Sequence, residues 1–260
     1  MFFDSEKDPM QHSEIDEVRA FWDRVAKDWN QHVGTNGDAN RILNSDPILW
    51  TMAGDVTGLK VLDAGCGTGY LTAQLQAKGA QVTGVDLSEQ MIQIARTQYP
   101  DIDFRVDSLS ELGTVADAQF DLIVSNYVLM DLPDLDGALA NFARVLRTGG
   151  AAIVVFSHPC FPQGRAAMPT SRRVTYTWDF PYFEHRKCVD PRWGRFTSDF
   201  IWFHRPLSDY WKAFRRAGFR VADFEEPRVL PERYHLAANP KKLLQSQKRP
   251  YSVAFRLERA

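Results

Sequence analysis

The sequence predicts an α/β domain with a central, mostly parallel sheet covered by helices on both faces. Three observations carry this. Between Lys60 and Phe156 short β-branched runs alternate with helical stretches, a pattern that requires a parallel sheet with both faces covered. The run VLDAGCGTGY at 61–70 ends a strand on Asp63 and opens through Gly65, Gly67 and Gly69 into a helix, and the next apolar run ends on a second acid, Asp86. The 260 residues suffice for one large α/β domain with insertions and are too few for two full domains with a linker.

The elements follow in order. Ile15, Val18, Trp22, Val25 and Trp29 step by three and four, one face of an amphipathic helix. His32 to Asp46 is rich in Asn, Gly and Asp and reads as a loop, and a second helical stretch spans Pro47–Asp55. Residues 1–58 thus form an expected helical lid. Strands are expected near 60–64, 81–86, 102–106, 120–125 and 151–156, with a helix from Thr68 to Lys78 after the glycine turn. A helix over 134–147 carries Leu135, Leu139, Phe142 and Leu146 on one side and is expected to stop at Gly149-Gly150.

The expected core, 59–156, gives way to about fifty residues without periodicity, longer than an ordinary loop. This insertion, 157–206, is aromatic and basic: eight Arg or Lys (Arg165, Arg172, Arg173, Arg186, Lys187, Arg192, Arg195, Arg205) stand against four acids. Pattern returns in 207–260, with Ser208 as a helix N-cap, Leu207, Trp211 and Phe214 on one face, Gly218 as the stop, and strands at 219–224 and 251–257. Seven strands result.

Composition narrows the function. A net charge of −2 and a pI near 6.3 provide no global basic field for polyphosphate, so a nucleic-acid substrate would need a local patch. Cys66, Cys160 and Cys188 are odd in number, widely spaced and free of a CxxC pair, which argues against a disulfide framework or a zinc site. The acidic start MFFDSEKDPMQHSE is no secretory signal, and no window reaches the ~18 apolar residues of a membrane span. A cytoplasmic protein acting on a small molecule is expected.

The glycine turn brings bare backbone close to a ligand, and Asp86 beside it can accept hydrogen bonds from both hydroxyls of a ribose. That is a nucleoside-cofactor geometry. The spacing is GxGxG, not the GxGxxG that seats a pyrophosphate. Asp63, directly before the turn, would repel a pyrophosphate and suits an ammonium group.

With these residues the chain resembles the class I S-adenosylmethionine-dependent methyltransferases, in particular the small-molecule group whose first motif reads VLDxGCGxG. The resemblance continues through VDLSEQMIQIAR, FRVDSLSEL, FDLIVSNYVLMDLPD and LRTGGAAIVVF, all between 85 and 156. It implies a Rossmann-like class I methyltransferase fold, whose fifth strand is followed here by the aromatic insertion or cap read above. It implies S-adenosylmethionine as donor, S-adenosylhomocysteine as product, and no metal. Asp63 and the backbone of Gly65, Cys66 and Gly67 would meet the methionine part, and Asp86 the ribose. Leu87 and Met91 would flank the adenine, with Asp107 accepting from its amino group and Ser108 and Leu109 supplying backbone contacts. Asn126 and Tyr127, at the end of the fourth strand, would touch the methionine chain or the acceptor.

Each assignment has a structural counterpart. Asp63 can hold the glycine turn, Asp107 can form an Asx turn, and Tyr127 can be a half-buried aromatic. Asp131 reads as a helix-start residue. For proton removal His158 is the leading candidate, then Tyr127, His204 and His185, although His158-Pro159 is also a common way to turn a chain. Trp22 and Trp29 serve either a buried helix face or a cover over the methionine end, and Asn40 and Arg41 are candidate lid contacts. The insertion reads as a cap lining an acceptor pocket, as simple packing on the sheet edge, or as a base-stacking surface for RNA, in that order. The leading function is methyl transfer to oxygen or nitrogen of a small organic acceptor, with carbon open. Transfer to tRNA or another macromolecule and a non-catalytic S-adenosylmethionine-binding partner protein are the alternatives. A monomer or a homodimer is expected.

Overall fold

Val61 and Leu62 are consecutive and both wholly buried, because alternate side chains of a strand enter opposite faces and each face here has its own core. They lie in β1 (Lys60–Ala64) of a computed structural model that describes residues 9–161, 166–170, 173–237 and 240–259. Around β1 run α3 (Tyr70–Ala77), β2 (Gln81–Asp86), α4 (Glu89–Gln98), β3 (Asp103–Val106), β4 (Phe120–Asn126), α5 (Leu135–Val145) and β5 (Leu146–Ser157). Before them stand α1 (Pro9–Val33), a π-helical turn at Arg41–Ser45 and α2 (Asp46–Ala53). After them come β6 (Ala166–Thr170), β7 (Arg173–Tyr176), β8 (Arg186–Asp190), β9 (Phe200–His204), α6 (Leu207–Arg216), β10 (Phe219–Glu225), α7 (Pro240–Ser246) and β11 (Ser252–Arg259).

The central sheet has seven strands in the order β10-β11-β5-β4-β1-β2-β3, parallel except for β11, which is antiparallel to both neighbours. Consecutive strands β1 to β3 run one way from the centre and β4 and β5 the other. The crevice at this reversal, above the C-terminal ends of β1 and β4, is where open α/β sheets bind ligands. One face is closed by Leu62, Val85, Ile123, Phe142 and Phe156 under α5 and α6. The other is closed by Val61, Leu71, Leu75, Val124 and Ile153 under α2 and α3.

Several boundaries differ from the sequence reading. Gly69 is left-handed (φ 87°), so α3 begins at Tyr70 and not at Thr68. Helix α5 ends at Val145, and Gly149-Gly150 lies within β5, where the register against β4 jumps from Phe120↔Leu146 to Leu122↔Ala151. The glycine pair therefore serves an irregularity in the strand, not a helix stop. Pro206, not Ser208, is the N-cap of α6.

The insertion, expected to be aperiodic, contains two hairpins, β6–β7 and β8–β9. Of its basic residues Arg165 and Arg172 lie outside the described residues. Phe196, Ile201 and Phe203 pack against Val18, Phe21 and Val25 of α1, so the insertion packs on the lid helix, and no described residue of 157–206 lines the cavity above the crevice. The lid is tied to the sheet side as well: Asp23 accepts from the Ser88 hydroxyl (2.6 Å) and the Gln90 amide (3.2 Å) at the start of α4.

Candidate active site

The turn after β1 is held to β2 by its own backbone. The amides of Gly65 and Cys66 both donate to the Val85 carbonyl, at 2.8 and 3.0 Å. Gly65, Gly67 and Gly69 all have positive φ, and a Cβ at Gly65 would stand 2.3 Å from a Val128 methyl. Only glycine fits there.

Asp86 closes the turn from the next strand. Its Oδ2 accepts from the Gly67 amide at 2.8 Å and its Oδ1 from the Ser88 amide at 2.9 Å, leaving lone pairs for hydroxyl donors. Burial pushes its carboxyl up to about 6, against the lowering effect of those amides. Asp63 is 2% exposed and accepts from the Thr72 hydroxyl at 2.6 Å. Burial raises it to about 7.

The raised Asp63 sets an expected result. Folding takes up a proton at Asp63 between the ordinary carboxylate range near 4 and its folded value near 7, so this residue's contribution to stability falls as pH rises through that window. Asp63→Asn keeps an acceptor for Thr72 and removes the charge. Thermal melts of the ligand-free protein should show the variant equal to wild type at pH 4 and several degrees more stable at pH 8. A gain of equal size at both pH values would show that Asp63 does not titrate.

Above the turn lies a cavity enclosing about 780 Å³, its open mouth included. Of the predicted site residues, Gly65, Cys66, Gly67, Asp86, Leu87, Met91, Ser108, Leu109, Asn126 and Tyr127 line it, joined by Trp22, Trp29 and Arg41 of the lid. Trp22 and Trp29 meet edge to face at 5.2 Å, and the Arg41 guanidinium sits 5.1 Å from the Trp29 ring centre, a cation–π distance. Arg41 is also bound by Asp38. Asn126 donates to the Ser45 hydroxyl at 3.2 Å, and its buried Oδ1 has no partner, an acceptor left for a ligand.

Three predicted residues do not line the cavity. Asp63 lies under the turn. The Asp107 carboxylate accepts from the Thr114 amide (2.7 Å) and hydroxyl (2.6 Å), bracing the loop whose Ser108, Leu109 and Ser110 form the wall. His158, 3% exposed, is bonded at Nε2 to Glu226 (2.7 Å), while its Nδ1 accepts the Cys160 amide at 3.1 Å. That amide fixes the Nε2–H tautomer, and burial lowers the ring's proton affinity. The ring thus fastens the turn after β5, with both nitrogens bonded within the protein and neither on the cavity wall.

Tyr127 is on the wall, left-handed at φ 60°, with its hydroxyl on Asn40 at 3.2 Å and its proton held by burial up to about 12. His204 is buried with Nε2 on the Tyr182 carbonyl, and His185 pairs with Asp209. Neither is on the wall.

Residues the sequence did not single out complete the cavity: Val128, Leu132, Pro133 and Ser110. Asp131 is also there, in a 3₁₀ turn (Leu129–Asp131), while the start of α5 is capped by Asp134, which accepts the Gly137 amide at 2.8 Å. An acid three residues before a second acid carried no signal to tell wall from cap. Among the described residues no group of three or more His, Cys, Asp and Glu is placed to hold a metal ion.

The wall offers two carboxylates, Asp86 and Asp131, one guanidinium, an orphan amide oxygen, and bare backbone next to apolar plates. This suits a ribonucleoside joined to a cationic, zwitterionic chain. The fold and the cavity define a nucleoside-cofactor-binding α/β protein.

Residues 62–154 match the family described as a methyltransferase domain. Demethylmenaquinone methyltransferase of Chlorobaculum parvum is 32% identical over 176 residues, 64% of this chain and 67% of that relative. A ubiquinone biosynthesis O-methyltransferase of Bordetella bronchiseptica is 35% identical over 102 residues, 38% of this chain and 42% of that relative. The chain thus spans two thirds of the first and under half of the second. The crystal structure of an S-adenosylmethionine-dependent methyltransferase from Mesorhizobium loti superposes with a TM-score of 0.70 at 26% identity, covering 87% of this chain and all of that one. The chain belongs to the class I S-adenosylmethionine-dependent methyltransferases, and its methyl donor is S-adenosylmethionine.

Proposed function

We propose that the methyl acceptor is a small, largely apolar organic molecule, methylated on oxygen or nitrogen, with carbon open. The observation that carries this reading is the composition of the cavity: Ile15 and Val18 of the lid, Trp22, Leu132 and Pro133 line it together with the cofactor-side residues. An apolar enclosure with a few placed polar groups selects a small molecule by shape. The named substrates of the quinone-pathway relatives point the same way.

When bound, S-adenosylmethionine supplies a methyl group already activated by its sulfonium. The chain's own residues position and enclose. Asp86 would take the ribose hydroxyls, Leu87, Met91 and the 108–109 backbone the adenine, and the Gly65–Gly67 backbone, Asn126 and Arg41 the methionine chain. Asp107 would act through the wall loop, and Asp63 through the turn. Tyr127, whose proton burial holds up to about 12, would orient a ligand by its hydroxyl and not remove a proton.

The division into lid (1–58), core (59–156), cap (157–206) and C-terminal part (207–260) of one methyltransferase domain belongs to the same proposal, as does a cytoplasmic monomer or homodimer. Among the described residues no helix is long and apolar enough to cross a membrane. Use of nucleic acid is disfavoured by how the cap spends its charges. Lys187 pairs with Glu17, Arg195 bonds Gln31, and Arg205 donates to the Leu132 and Pro133 carbonyls.

The test is release of S-adenosylhomocysteine from S-adenosylmethionine with panels of phenols, quinols, amines and bulk tRNA. Turnover is expected with members of the small-molecule panels. Turnover with tRNA alone would overturn the acceptor class, and donor binding in calorimetry without turnover on any panel would favour the non-catalytic binding protein.

A further inference from the structure

Asp131 is 8% exposed, lines the cavity, and makes no hydrogen bond or ion pair through its carboxylate among the described residues. Every other carboxylate at or below the site is engaged: Asp86 by the Gly67 and Ser88 amides, Asp63 by Thr72, Asp107 by Thr114. A buried, unpartnered carboxyl is costly, and this one shares the wall with the apolar side chains of Leu132 and Pro133, its immediate successors. The chain directly after the 3₁₀ turn that carries it is held from outside, because Arg205 Nη2 donates to the Leu132 and Pro133 carbonyls at 2.6 and 2.9 Å.

Resting on the methyl-transfer reading above, we propose that Asp131 is the proton-exchanging group of this cavity, ionised by the cationic donor and taking up the proton that an O–H or N–H acceptor loses. The acceptor's oxygen or nitrogen forms its new bond to carbon as the carbon–sulfur bond breaks with its electron pair left on sulfur, and the acceptor's proton passes to an Asp131 carboxylate oxygen. The positive charge on sulfur and the negative charge on Asp131 disappear together, so no net charge is created in a poorly solvated site. His158 is bonded at both nitrogens within the protein and off the cavity wall, and Tyr127 keeps its proton.

The titratable groups around Asp131 are Asp86 at the end of β2, Tyr210 on α6 and Arg205 after β9, and none bonds its carboxylate. Burial, with Asp86 adding to it, holds the Asp131 carboxyl well above the ordinary carboxylate range. The resting cavity therefore favours the protonated form, and a cation in the cavity favours its release.

Calorimetric titrations in two buffers of different ionisation enthalpy measure the protons exchanged when S-adenosylmethionine, a sulfonium, and S-adenosylhomocysteine, a neutral thioether, bind at pH 7. Wild type is expected to release more protons with the sulfonium. In Asp131→Asn that difference should be lost while the affinity for the thioether stays within about threefold, and Asp131→Glu should restore it. In the release assay the Asn variant should turn over on the order of 10²–10⁴-fold more slowly. A proton difference that persists in Asp131→Asn, one absent from wild type while both ligands bind, or wild-type turnover by the Asn variant overturns the proposal. Absence of binding of either ligand to wild type overturns the donor assignments on which it rests.

Discussion

Asp86→Lys is expected to leave S-adenosylmethionine binding undetectable by calorimetry, a loss of at least ~10³-fold, or about 4 kcal/mol. The residue does two things at once. In the proposed function it accepts from the ribose hydroxyls, and in the structure it accepts the Gly67 and Ser88 amides, charge-assisted bonds of about 1.5–3 kcal/mol each. A lysine there sets an ammonium against two N–H donors, so the glycine turn loses its clasp as the ligand loses its acceptor. Asp86→Asn is the milder control: its amide oxygen can satisfy one amide donor while its NH₂ group opposes the other, and a loss on the order of 10–100-fold is expected. In wild type the affinity should weaken as pH falls through about 6, where the raised Asp86 carboxyl takes a proton, since hydroxyl donors bind the carboxylate better than the acid. Near-normal affinity in the Lys variant would show that the ribose is held elsewhere.

How much of this was legible in the sequence follows from how local each signal is. The strands expected at 60–64 and 81–86 coincide with β1 and β2, since a β-branched run between turn residues is a short-range pattern. The glycine turn and Asp86 were legible for the same reason. The hairpins of the insertion were not: β8 reads RKCVD, with only Cys188 buried, and it is a strand through pairing with β9 and packing of that hairpin on α1. The orientation of His158 depends on Glu226, 68 positions away. In LMDLPD two acids compete for one helix start, and the amide of Gly137 selects Asp134, which frees Asp131 for the cavity wall. No periodicity distinguishes those two.

Gly65→Ala is expected to cost stability and cofactor affinity together, and the two causes can be separated. The backbone at Gly65 has φ 82°, a conformation that costs an L-residue roughly 1–2 kcal/mol. The added Cβ would also stand 2.3 and 2.8 Å from the two methyls of Val128 and 3.1 Å from its Cβ, an overpacking that costs typically about 1–3 kcal/mol. Denaturant melts should therefore show a loss of about 2–5 kcal/mol. Val128→Ala removes both methyls and leaves the backbone term untouched, so the double variant should recover the steric part, an interaction energy of about 1–3 kcal/mol relative to the two single changes. Cofactor affinity is expected to recover with it only in part, because Val128 is itself a wall of the cavity and its truncation opens the space that the ligand must fill. Strict additivity in the cycle would mean that the turn yields by moving away from β4, and that its position over β1 is set by the Val85 carbonyl and Asp86 alone.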